Sequence, residues 1–207
     1  MASSTLTPAT LHSWLRSRRS VRRFLAKPVA PDMITRILET ATWAPNAHNR
    51  QPWRFVQLSS AESREKLTDA MASDFERALQ AEGLDAEQIT AQLKRSRDRI
   101  TEAPEAILLC LDTSVLDKHE DEGRARGEHL MAVQSVALAG GQLLLAAHAE
   151  GLAGVWMCAP LFVPEEVRRA LELPESWEAQ GLILLGWRDK EGPHKERLDI
   201  GRVKRVI

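Results

Sequence analysis

Cysteine is scarce in this chain, with only Cys110 and Cys158, and the two lie far apart inside apolar runs. Neither belongs to a CxxC pair, so the sequence argues against a disulfide framework or a zinc site and favours a reducing compartment. We also find no apolar core of the signal-peptide type and no run of the ~20 apolar residues that a membrane span needs. These absences predict a soluble, cytoplasmic protein without a membrane partner.

The familiar signatures of nucleotide and catalytic sites are missing as well. The chain has no G-x-G-x-x-G fingerprint, no P-loop, no H-E-x-x-H pair and no G-x-S-x-G elbow. Its six histidines are scattered without the spacing of metal ligands. The sequence therefore argues against a metal centre and against a side-chain nucleophile, and what remains are groups suited to holding a ligand.

Neither sign of charge is in excess, since 28 basic and 29 acidic residues leave a net charge of −1. A general nucleic-acid binder usually carries a basic excess, so this balance argues against a nucleic-acid partner. A length of 207 residues suits one domain, covering residues 1–207, and is short for two.

Hydrophobic periodicity predicts helices on both faces of a small sheet. Predicted helices are Pro8–Ser17, Pro31 to about Trp43, Ala61 to about Gly83, Asp85 to about Ile100, Glu128 to about Glu150, and one beginning at Pro164. Predicted strands are "WRFVQL", Glu105–Asp112, "GVWMC" and "GLILLGW". The stretch Asp117–Gly127 is predicted to be a charged loop, and the C-terminal tail to be irregular.

The predicted helix from Glu128 is apolar nearly all round, which is typical of a helix buried in a core or in a subunit interface. Gly140 and Gly141 in its middle lower helix propensity by ~1 kcal/mol each. They are tolerated most easily where another backbone or a flat ligand approaches closely.

The stretch "RSRRSVRRF", residues 16–24, holds five arginines. Arg18, Arg19, Ser20 and Arg22 offer guanidinium groups and a hydroxyl, which match phosphate oxygens. Arginines at the end of a helix can equally complement its dipole. The spacing alone leaves both interpretations open, and the balanced charge of the chain disfavours a nucleic-acid arm.

A second polar stretch is "NAHNRQPW", residues 46–53, whose amide side chains could read the edge of a heterocycle. Amides in loops also satisfy nearby backbone groups, which is the simpler interpretation. In the tail, Lys195 and Arg197 are either solvated or part of the same anion site as the arginine cluster.

Together these stretches resemble the FMN-dependent nitroreductase family. The matching blocks are "RRSVR", "APNAHNRQPW", "AEGLAGVWMCAP" and "HKER", in this order over nearly the whole chain. Within the family the sequence looks most like the C-terminal flavin domain of the bifunctional γ-glutamyl ligase of deazaflavin-coenzyme biosynthesis. The resemblance implies an α+β fold, a three-layer α/β/α sandwich with a small, mainly antiparallel sheet, in an intertwined homodimer.

The resemblance also implies FMN as cofactor. It assigns the FMN phosphate to Arg18, Arg19, Ser20 and the pair Lys195 and Arg197. Arg22 would stabilise the reduced flavin near its pyrimidine end, and Val21 lies inside the same block. The remaining expected cofactor contacts are Asn46, Asn49, Gln51, Met157, Cys158 and Ala159. Ala159 departs from the family pattern, since many relatives have glycine there.

The function implied is hydride transfer by a ping-pong mechanism, from NAD(P)H or a reduced deazaflavin to a nitro, quinone or related acceptor. The segment from about Met71 to Ile100 would form a lid over the flavin. Two alternatives remain open: a stand-alone flavin domain of deazaflavin-coenzyme biosynthesis, and a flavin-binding protein without reductase turnover, such as a relative that consumes reduced FMN.

Overall fold

One antiparallel sheet organises the computed structural model, which describes residues 7–190 and 196–207. Its strands are β1 (Trp53–Gln57), β2 (Glu105–Asp112), β3 (Ala153–Met157) and β4 (Trp177–Gly186). They are ordered β1–β2–β4–β3, so β2 and β4 are central and β3 lies at one edge. The two central strands are continuous apolar runs because helices cover both of their faces.

Helices form the two outer layers. They are α1 (Pro8–Ser17), α2 (Pro31–Ala41), α3 (Ala61–Ala81), α4 (Ala86–Thr101), α5 (Glu122–Ala149), α6 (Pro164–Ala170) and the short α7 (Ile200–Val203). α2 and α5 enclose one hydrophobic core with the sheet, and α3, α4 and α6 enclose the other. The expected α+β three-layer sandwich is confirmed.

The start of α5 differs from the sequence prediction. The stretch Asp117–Gly127 is not wholly a loop, because the helix already begins at Glu122. The Asp121 carboxylate caps it by accepting a hydrogen bond of 2.8 Å from the backbone N–H of Arg124. The first turn of α5 is charged and its side chains face solvent, so its sequence resembles that of a loop.

By length and composition α5 could cross a membrane, although the sequence holds no unbroken run of ~20 apolar residues. In the structure one stripe of the helix, including Val136, Ala139 and Leu143, is buried against the sheet. On the other side Leu130 is 48% exposed and Leu138 is 50% exposed. A core helix that carries a second apolar face accounts for this composition.

A side chain of β3 explains one of the two glycines in α5. A Cβ at Gly140 would lie 2.0 Å from Cζ3 of Trp156, so the indole occupies the space that only glycine leaves. Gly181 on β4 faces the same ring, with the nearest Trp156 atom 2.7 Å from its ideal Cβ position. Gly141 has no such neighbour within 4 Å.

Candidate functional site

The arginine cluster lies against the edge strand of the sheet. Ser20 pairs in parallel with Gly154 of β3, and the Val21 N–H donates a hydrogen bond of 3.0 Å to the Gly154 carbonyl. Because the pairing is parallel, Arg18 lies toward the start of β3 and Arg22 toward its end. The segment after α1 is thereby aligned with the strand that carries the other expected flavin contacts.

At the start of β3 a cavity of about 100 Å³ is lined by Arg18, Arg19, His148 and Arg188, with Ser17 and several small or apolar residues. No carboxylate is among these lining residues. His148 and Arg188 were not predicted as site residues. Arg188 is the second residue after a buried strand, and neither residue belongs to a polar motif that would reveal it.

Two of the three arginines at this cavity, Arg18 and Arg19, differ in their contacts. The Arg19 guanidinium donates to the Arg16 carbonyl and, at 2.9 Å, to the Arg18 carbonyl, so it caps the C-terminal end of α1. Of the two interpretations of the arginine cluster, the contact with a helix end therefore describes Arg19. No hydrogen bond or ion pair of the Arg18 guanidinium is seen with residues 7–190 or 196–207, which leaves it able to bind an anion at the cavity.

His148 projects from the last turn of α5 into this cavity. Its Nε2 lies 2.9 Å from the Ser17 hydroxyl, and its ring centroid lies 4.8 Å from that of Trp14. Burial lowers the pKa of His148, and the positive charges of Arg18 and Arg188 lower it further, against an opposing hydrogen bond at Trp14. The ring is therefore kept neutral near pH 7, and a bound anion would favour its protonation.

At the opposite end of β3 a cavity of about 580 Å³ opens beside Met157, Cys158 and Ala159. Its remaining lining comes from α3 and α4: Thr68, Met71, Ala72, Phe75, Thr90, Gln92, Leu93, Lys94, Arg95, Ser96, Arg97 and Arg99. The segment expected to form a lid thus covers the strand end expected to contact flavin. Cys158 is exposed, whereas burial raises the pKa of the other cysteine, Cys110, to about 12.

The amide loop adopts a strained backbone. His48, Asn49 and Gln51 all have φ near +50°, a region that residues other than glycine rarely occupy. Asn46 supports this conformation, since its Oδ1 accepts a hydrogen bond of 2.9 Å from the Gln51 N–H. The Asn46 amide thus serves the loop backbone, while Asn49 and Gln51 are exposed.

This loop precedes β1, at the edge of the sheet opposite β3. Three inter-strand spacings separate the two edges, roughly 14 Å. One chain therefore brings Arg18–Arg22 and Met157–Ala159 together but leaves Asn46–Gln51 apart from them. In the tail, Arg197 is exposed, and Lys195 lies outside the described residues.

An ion-pair cluster fastens the loop to α5. Arg50 contacts Asp117 and lies 3.4 Å from the Glu128 carboxylate, which is buried. Candidate ligand atoms of Asp117, His119 and Glu128 all lie within 4.8 Å of one another. Because the Arg50 guanidinium pairs with both carboxylates, the cluster is explained as a structural ion-pair network.

Comparison with known proteins identifies the family to which this site belongs. Residues 15–187 match the model of the nitroreductase family. The chain is 31% identical over 189 residues to a 5,6-dimethylbenzimidazole synthase of Rhodospirillum rubrum, covering 89% of this chain and 84% of that protein. It is 30% identical over 210 residues to an NADH dehydrogenase of Thermus thermophilus, covering 90% of each.

Among solved structures, the nitroreductase-like family protein from Bacillus cereus superposes with a TM-score of 0.76 at 25% identity, over 100% of this chain and 99% of that one. The chain therefore belongs to the nitroreductase family, whose members are flavin-dependent oxidoreductases. The resemblance to the ligase flavin domain stays a prediction.

Proposed function

We propose that this protein binds FMN along β3, with the phosphate at the small cavity and the ring at the large one. The observation that carries the proposal is the parallel pairing of Ser20 with Gly154. It sets the cationic cavity at Arg18 and the apolar cavity at Met157–Ala159 at successive points along one strand.

The residues present fit an FMN molecule. An anion at the small cavity would gain the free Arg18 guanidinium and would meet no carboxylate among the lining residues. A flat heterocycle at the large cavity would lie against the strand end formed by Met157, Cys158 and Ala159. Lys195 and Arg197 are proposed as further phosphate ligands, as the family resemblance implies.

When bound, FMN would supply hydride transfer between a donor and an acceptor. The residues of the chain would position it, exclude water and balance its charge. Arg22, toward the C-terminal end of β3, would stabilise negative charge on the reduced ring. α3 and α4 would cover the cavity and keep water out of it. Because FMN would carry the chemistry, no side chain has to act as nucleophile.

A nicotinamide coenzyme is proposed as the hydride donor, since the relative in Thermus thermophilus is named an NADH dehydrogenase. Donor and acceptor would bind in turn in the large cavity, which is the ping-pong scheme, and a nitroaromatic or quinone would be the acceptor. A reduced deazaflavin remains the alternative donor. We also propose a cytoplasmic location, in keeping with an unpaired Cys158 at the surface.

The site is proposed to be completed by a second copy of the chain. An apolar face on α5, with Leu130, Met131 and Leu138 all at least 36% exposed, is large for a solvated helix. Packing this face against a second α5 would bury it, and would let the loop with Asn49 reach the partner's β3 edge. Light scattering should give twice the chain mass of 23.2 kDa.

Leu138→Arg should break this dimer by placing a charge in its apolar face, while Ala78→Arg on the exposed side of α3 should not. A wild-type protein that scatters as a 23.2 kDa monomer would contradict the dimer.

The phosphate assignment is tested by a matched pair of variants. Arg18→Gln should weaken FMN binding by about 10- to 100-fold, the value of a lost charge-assisted pair. Arg16→Gln removes the same charge two residues away, from an exposed side chain, and should leave the FMN Kd within about twofold. Equal affinities for wild type and Arg18→Gln would refute the assignment. Removing Arg197 together with Arg18 should strip the cofactor.

A second candidate function follows from the relative in Rhodospirillum rubrum, a 5,6-dimethylbenzimidazole synthase. If this chain shares that activity, aerobic incubation with FMN and NADH should release 5,6-dimethylbenzimidazole, detectable by mass spectrometry. Reduction of a quinone or nitroaromatic with FMN recovered intact would favour the reductase instead.

A further inference from the structure

The large cavity has an uneven distribution of charge. Four cationic side chains of α4 line it, Lys94, Arg95, Arg97 and Arg99, and its lining includes no aspartate or glutamate. The inference drawn from this charge rests on the proposed function, because it concerns what binds beside the flavin.

Two of these four cations are already neutralised by neighbouring carboxylates. Lys94 pairs with Asp98 at 2.5 Å, and Arg97 pairs with Asp69 on α3. All four side chains of these pairs are at least 36% exposed. They contribute little net positive charge to the cavity.

The other two cations are not neutralised by any carboxylate in the described ranges. Arg95 donates from its Nε to the Ala91 carbonyl at 3.3 Å, and the Arg99 guanidinium makes no hydrogen bond or ion pair with residues 7–190 or 196–207. The two residues are four apart on α4 and therefore share one face of the helix.

Arg99 is the more enclosed of the pair, being half-buried where Arg95 is exposed. Burial lowers the pKa of its guanidinium, and repulsion from Arg22 and Arg95 lowers it further. Arg99 thus lies in the cavity lining under the repulsion of two further arginines, and no carboxylate belongs to that lining. Such an arrangement is unfavourable in the empty cavity and becomes favourable when an anion enters it.

The rest of the cavity is apolar. Met71, Ala72 and Phe75 of α3 offer a surface for a flat conjugated ring beside the flavin. A ligand that satisfies both parts of the cavity has a ring and an anionic substituent. Neutral rings would fill the apolar part and leave Arg99 unpaired.

We propose that Arg99, assisted by Arg95, binds a carboxylate or phosphate group on the ring-bearing substrate that occupies this cavity. That substrate is an anionic aromatic or quinoid acceptor, or a donor whose phosphate serves the same contact, as the 2′-phosphate of NADPH would. Arg99 is therefore a specificity-determining residue that selects charged over neutral substrates.

The experiment compares 4-nitrobenzoate with 4-nitrobenzyl alcohol, which differ in charge and share the ring. Their Kd values are measured without turnover, from the change in the flavin absorption band of the oxidised, FMN-loaded protein. Wild type should bind the benzoate at least tenfold more tightly. Arg99→Gln should abolish this preference by weakening the benzoate alone, while Arg99→Lys keeps part of it.

The control is Arg77→Gln, which removes a guanidinium of α3 that pairs with Asp74 and does not line the cavity, and it should change the preference less than threefold. The donor arm compares KM for NADPH and NADH. A loss of NADPH preference in Arg99→Gln, with the benzoate unaffected, assigns the anionic group to the donor. No loss in either arm, or equal loss for charged and neutral ligands, overturns the proposal.

Failure of the proposed function has a different signature. In that case wild type and every variant would bind no FMN, and no flavin band would be seen. If instead Arg99→Gln weakens FMN itself by tenfold or more, Arg99 serves the cofactor and the substrate assignment is wrong.

Discussion

Replacing Gly140 by alanine tests how β3 is held beneath the candidate site. The added methyl carbon would lie 2.0 Å from Cζ3 and 2.9 Å from Cε3 of the Trp156 indole, and 2.7 Å from Cδ1 of Leu109. Carbon atoms in contact are about 3.5–4.0 Å apart, so the ring must move by about 1.5 Å or more. Gly181 borders the same ring and is as close-packed, which limits where the ring can go.

Two opposing free energies decide the result. Overpacking of a core costs roughly 1–3 kcal/mol, and a shift this large at a ring packed against two glycines belongs at the upper end. Alanine in place of glycine stabilises a helix interior by about 1 kcal/mol. We therefore expect Gly140→Ala to lower the free energy of unfolding by about 2 kcal/mol in urea denaturation.

Gly127→Ala in the same helix is the matched control. No atom lies within 4 Å of its Cβ position, so only the propensity gain applies and unfolding should cost about 1 kcal/mol more. In a Trp156→Leu background, Gly140→Ala should lose most of its penalty, with only the contact to Leu109 remaining. If Gly140→Ala stabilises the wild-type protein as much as Gly127→Ala does, the packing argument is refuted.

Three further predictions concern single side chains. The buried Arg64 donates hydrogen bonds of 2.8–3.2 Å to the carbonyls of Leu58, Thr101 and Pro104. Arg64→Met should therefore lower the free energy of unfolding in urea by about 2–4 kcal/mol. A variant as stable as the wild type would contradict this. Since the fold lowers the pKa of His148, the unfolded chain takes up more protons than the folded chain as pH falls through about 6.5. FMN-free protein should therefore have a lower free energy of unfolding at pH 5.5 than at pH 7.5. If His148→Gln leaves this pH dependence unchanged, His148 is not its origin. With Cys158 exposed and Cys110 buried, a disulfide reagent at pH 8 should label one thiol in native protein and two after unfolding, and bound FMN should slow the native reaction.

Elements with a strong local signal were predictable from sequence. β2 is a bounded apolar run, and Pro31 at the first turn of α2 marks its start, so both agree with the prediction. The start of α5 was missed because the Asp121 cap depends on one side-chain hydrogen bond inside a charged stretch. Such caps alter helix boundaries without altering hydrophobic periodicity.

The candidate site was predictable where residues are close in sequence and not where the fold assembles it. The block around Ser20 and the strand end at Cys158 carry recognisable motifs, and the structure aligns them through Gly154. Arg99 lies on a charged helix whose pattern is that of a solvated surface, and only the packing of α4 turns it toward the cavity. Long-range juxtaposition of this kind leaves no periodic signal in the sequence.

Titration of the purified protein with FMN shows whether the chain holds this cofactor. The released cofactor is measured by flavin absorbance after denaturation, together with the Kd for added FMN. The account predicts about one FMN per chain at saturation and a Kd that Arg18→Gln weakens and Arg16→Gln does not. A colourless protein that fails to bind added FMN at any concentration would contradict it.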